Sequence, residues 1–98
     1  MREYTRVKMV KTESDVALNE NGSVRAVFSC DGQFVNFQFF LGSEKAGDPQ
    51  RLSRAEAAKI GKQVAETGIY DYFPISGVSL NDVRTFGLYL QRYGEEGK

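Results

Sequence analysis

The chain has 98 residues, 41% hydrophobic and 27% charged, with 13 Lys plus Arg balanced by 13 Asp plus Glu. That is enough for one domain with one core. It is too apolar for a disordered segment, and it lacks the overall positive charge that drives non-specific nucleic-acid binding. There is no histidine and a single cysteine, Cys30, which excludes His-based nucleophilic triads, an internal disulfide and a cysteine-rich zinc site.

The charge is uneven along the chain. Residues 1–11 carry net +3 and residues 12–52 net −3. A basic strand feeding an acidic sheet reads as internal complementarity, with a functional basic edge as the alternative. The N-terminus lacks the apolar run of a signal peptide, and no stretch approaches 18 apolar residues. No membrane span is therefore expected, and a cytoplasmic location is.

In chain order, Glu3–Val10 alternates loosely and reads as a strand; Met1, Tyr4, Val7 and Val10 also fit a helical spacing, which keeps a short helix open. Val16 and Leu18 then alternate into Glu20-Asn21-Gly22. A strict two-residue Asn21-Gly22 loop would put both on the wrong face. A three-residue loop with Gly22 in the left-handed region pairs Leu18 with Val24 and Val16 with Ala26, and buries all four.

Val24–Leu41 reads as a hairpin about a two-residue Asp31-Gly32 loop. In that register Phe28 faces Val35, Ala26 faces Phe37 and Val24 faces Phe39, all on one apolar face with Cys30. The other face carries Arg25, Phe34, Asn36, Gln38 and Phe40, joined by Tyr4, Arg6 and Lys8 from the first segment. The sheet is expected to end at Gly42, followed by a polar loop over 43–52 with Gly and Pro punctuation.

Ser53 and Glu56 have the spacing of a capping box, followed by Ala57, Ile60, Gly61 and Val64 at helical intervals and a stop at Gly68. Arg54, Lys59, Lys62 and Glu66 read as its solvated face. A second helix starts at Ser79 with Asp82 in its first turn. It carries a stripe of Leu80, Val83, Phe86, Gly87 and Leu90, and ends at Gly94. A glycine on each apolar face, Gly61 and Gly87, points to close backbone approach, the alternative being a tolerant position.

The expected fold is α+β, an antiparallel meander of three or four strands followed by two helices packed on one face. It is a single domain over 1–98, with a strand-rich region 1–42, the polar loop 43–52 and a two-helix region 53–94.

No Gly-rich phosphate loop or Asp-rich calcium loop is present. Asp15, Glu20, Asp31, Asp71 and Asp82 are the carboxylates available for catalysis, but they have the positions of turn and cap residues, so no enzyme, metal or cofactor is expected. Two surfaces remain. The outer sheet face combines aromatic, amide and basic groups that suit a protein partner or, as the rival reading, single-stranded nucleic acid. The interhelical segment Ile69–Ile75 holds Tyr70, Tyr72 and Phe73. It either folds back to close the core or forms an exposed recognition patch, which Tyr89 and Tyr93 could extend.

The expected function is that of a small non-catalytic interaction protein of inhibitor, immunity or adaptor type. The sheet face is the preferred contact and a homodimer through it the simplest case. A strand-rich half before two helices occurs in many small proteins, phage-encoded inhibitors and immunity proteins among them, but layout does not carry function.

Overall fold

The computed structural model describes residues 13–95. The expected segment at 3–10, strand or helix, lies outside them. The elements are β1 (Glu13–Ala17), β2 (Val24–Asp31), β3 (Phe34–Leu41), β4 (Glu44–Ser53), α1 (Arg54–Thr67) and α2 (Leu80–Glu95). The strands form one antiparallel sheet in the order β1-β2-β3-β4, and both helices pack on one face. The molecule is therefore an α+β meander with two helices, as the sequence indicates.

Between β1 and β2 the register pairs Val16 with Ala26. The Leu18 amide donates to the Val24 carbonyl at 2.8 Å, and Gly22 is left-handed at φ +73, as expected.

The β2–β3 hairpin has the expected faces but a different register. Phe28 pairs with Phe37, Ala26 with Phe39 and Arg25 with Phe40, a shift of two residues. The loop is Gly32-Gln33 rather than Asp31-Gly32. An Asp-Gly type I′ turn needs positive φ at both residues, whereas a glycine-first turn asks it of glycine alone. Gly32 supplies φ +74. Side chains alternate with a period of two, so a two-residue slip leaves the buried set intact. Val24, Ala26, Phe28, Val35, Phe37 and Phe39 are all buried.

The region expected as a polar loop, 43–52, is instead most of the fourth strand. Gly42-Ser43 repeats the glycine-first turn, with Gly42 at φ +66, and pairs Leu41 with Glu44. The strand lacks apolar alternation because it is a sheet edge whose outer side faces water. The pairing slips between Phe37 and Phe39, which accommodates Gly47 and Pro49 in a bulge. A bulge, a proline and charges on an edge strand all discourage pairing with another chain.

Ser53 ends β4 and caps α1. Its hydroxyl accepts from the Glu56 amide at 3.2 Å, and Glu56 reaches back to the Ser53 amide at 3.3 Å. Gly68 closes α1 in the left-handed conformation. Ser79 caps α2 through the Asp82 amide at 3.1 Å. One detail differs from the expected stripe. Leu80 is 54% exposed, because it lies in the first turn and packs over Gly68 rather than into the core. Gly94, expected to end α2, is the penultimate residue of its described span and is also buried against α1.

The helix pair is held backbone to backbone. A Cβ on Gly61 would stand 2.3 Å from the Gln91 amide nitrogen, one on Gly87 2.5 Å from that of Ala65, and one on Gly94 2.4 Å from that of Ala58. Close approach between the helices, not onto the sheet, explains these glycines. Arg54, expected on the solvated face, is half-buried: its guanidinium donates to the carbonyls of Gly32 at 2.6 Å and Tyr93 at 3.2 Å. It fastens the β2–β3 turn to the end of α2.

Candidate partner-binding site

On the outer face of the sheet, register places Arg25 opposite Phe40 and Asp31 opposite Phe34. The Arg25 guanidinium lies over the Phe40 ring, 5.1 Å from its centroid, and pairs with Asp15. The Arg51 guanidinium lies over the Phe34 ring at 4.2 Å and pairs with Asp31 at 3.4 Å. The exposed Phe34 and the half-buried Phe40 thus each have a cation on the ring face, and each cation has a carboxylate. Asn36 donates to Asp31 at 3.1 Å. Gln38 donates to the Ala46 and Gly47 carbonyls at 3.3 and 3.0 Å, which stitches the β4 bulge to β3.

The structure does bring the five expected sheet residues onto one face, with Phe34 38% exposed. Their polar groups, however, are already occupied: Arg25 by Asp15, Asn36 by Asp31 and Gln38 by backbone carbonyls of β4. This was not legible from sequence, because Arg51 belongs to a strand read as loop. Tyr4, Arg6 and Lys8 lie outside the described residues.

The interhelical segment divides into two parts. Phe73 packs on Phe39 with ring centroids 4.7 Å apart, Tyr70 packs on Phe86 at 5.3 Å, and Ile75 is buried. Pro74 leans on the β4 bulge, where a Cβ on Gly47 would stand 2.9 Å from it. This part closes the core without adding a strand. Ile69 and Tyr72 do not join it: they are 64% and 80% exposed.

Those two residues rim an open groove of about 570 Å³ between the end of β4, α1 and the segment itself. Leu52, Ile60 and Val64 form its apolar wall. Gln50, Gln63, Thr67 and Asp71 supply its polar positions. Burial, and secondarily Tyr72, raises the Tyr70 hydroxyl above the ordinary tyrosine value of 10.0, so the phenol stays neutral. A groove of this size, mostly apolar with a few polar groups, has the character of a binding site.

Tyr70 and Tyr72 were visible in the sequence as candidates. Leu52, Ile60 and Gln63 were not: the first was hidden by the loop reading, the others by belonging to a helix. Tyr89 and Tyr93 do not extend this patch. They stack on Phe28, at 6.3 and 5.2 Å, on another side of the core.

Among the described residues no three His, Cys, Asp or Glu side chains gather as metal ligands, and no helix is long and apolar enough to cross a membrane. Comparison with protein-family models, curated proteins and solved structures finds no match.

Proposed function

We propose that the chain is a small non-catalytic interaction protein, of inhibitor, immunity or adaptor type, acting by occupying the surface of a partner protein. We place the contact at the groove between β4, α1 and the interhelical segment. One observation carries this reading: Tyr72 and Ile69, 80% and 64% exposed, stand at the rim of an apolar groove. Aromatic residues beside a partly formed pocket dominate the energetics of protein interfaces.

The outer sheet face, favoured from sequence, is the weaker surface. Each of its rings already has a guanidinium over it, and its arginines are neutralised. The same pairing argues against the nucleic-acid reading, which needs free cations and open ring faces. A single cysteine fits a reducing compartment such as the cytoplasm.

The test is affinity capture from the native host with the immobilised chain and two double variants, the bound protein being identified by mass spectrometry. Ile69→Ser/Tyr72→Ser should lose the protein that the parent retains. Phe34→Ser/Phe40→Ser should keep it. The reverse pattern would return the contact to the sheet. Light scattering of the free chain distinguishes a second copy from a foreign partner.

A further inference from the structure

The chemistry of the groove constrains what enters it. Tyr70 and Tyr72 form an edge-to-face pair, with centroids 5.9 Å apart and planes at 73°. Both line the groove, and their rings meet at a corner. Asp71 lies between them in the chain and is the one formally charged side chain among the groove's lining residues. Ring faces carry partial negative charge, and a cation over such a face is attracted most where an anion stands beside it.

The same molecule shows this preference twice. Phe34 and Phe40 on the sheet each have a guanidinium over the ring and a carboxylate behind it. At the corner the rings and the carboxylate are present. Among the described residues no cation lies over either tyrosine.

We propose that the groove binds a basic–apolar segment of a partner protein, an arginine or lysine entering the Tyr70–Asp71–Tyr72 corner while an apolar neighbour packs on Leu52 and Ile60. This rests on reading the groove as the partner site and specifies what that partner presents. The completed corner would repeat the arrangement of ring, cation and carboxylate found on the sheet.

The probe is a blocked leucine–arginine–leucine peptide, with its neutral citrulline counterpart, titrated into the full chain and followed by amide NMR shifts. The arginine peptide should give saturable shifts at residues 69–72, with the citrulline peptide at least tenfold weaker. Asp71→Asn and Tyr72→Ala should each weaken the arginine peptide at least fivefold, and Tyr72→Phe should retain it. Both side chains are exposed, so these variants should keep the parent's circular dichroism.

Equal binding of the two peptides in the groove would overturn the cation assignment and leave the groove reading standing. Arginine-peptide shifts confined to other residues, or no saturable shift, would also overturn the inference. The groove reading is judged separately, by the capture experiment.

Discussion

Phe86 is where the two halves of the molecule meet. Its ring contacts those of Phe28, Phe37 and Phe39 from the sheet, at 5.8, 5.4 and 4.8 Å, and of Tyr70 and Phe73 from the interhelical segment, at 5.3 and 5.9 Å. Truncating a member of this cluster leaves a cavity that its packed neighbours cannot fill. Phe37→Ala should therefore cost about 3–5 kcal/mol, measured by urea denaturation; a variant as stable as the parent would contradict the core assignment. Tyr70 gives a pH signature. Its folded pKa is raised, mainly by burial, so the folded state holds the phenolic proton more tightly than the unfolded state. That contribution is complete below the ordinary value of 10.0 and is lost as the pH rises through the folded value. In an absorbance titration a tyrosine ionisation above the ordinary value should disappear in Tyr70→Phe. The buried phenylalanines were readable from alternation alone, since alternation assigns a face. Their partners across the strand were not, because that depends on where the turn places its positive φ.

At the level of elements, the clearest sequence signals were local: the Ser53/Glu56 capping box, the Gly68 stop and the Ser79 cap all lie where their chemistry indicates. The fourth strand was obscured because an edge strand needs no apolar alternation, although Gly42-Ser43 carries the same turn chemistry as Gly32-Gln33. Gly94 lies one residue before the end of α2's described span and also serves as a spacer against α1, a second role that one sequence cannot separate from that of terminator. The helix contact is testable. Alanine at a helix-interior glycine normally gains about 1 kcal/mol. In Gly87→Ala the new methyl would stand 2.5–2.9 Å from the α1 backbone, and overpacking of this kind costs about 1–3 kcal/mol. A lower urea midpoint is expected despite the better propensity; a higher one would show that the helices separate easily.

For the molecule as a whole, the sheet's outer face and the groove differ in whether their aromatic groups already have partners. On the sheet, rings and cations satisfy one another, so Phe34→Ser/Phe40→Ser should remain folded and lose about 1–2 kcal/mol from two cation–π pairs of about 0.5–1 kcal/mol each, with a further loss from the half-buried Phe40 ring. Unfolding of that double variant would show the face to be structural. The groove was the least readable part of the sequence, since it is assembled from a strand, a helix and a segment that become neighbours only after the chain folds back. The central claim is that the partner docks there. Hydrogen–deuterium exchange of the chain, alone and saturated with the captured protein, tests it most directly. Slowed exchange should concentrate in the Gly68–Phe73 segment, with amides of residues 25–40 unchanged. Protection confined to residues 25–40, with Gly68–Phe73 exchanging as in the free chain, would contradict the account.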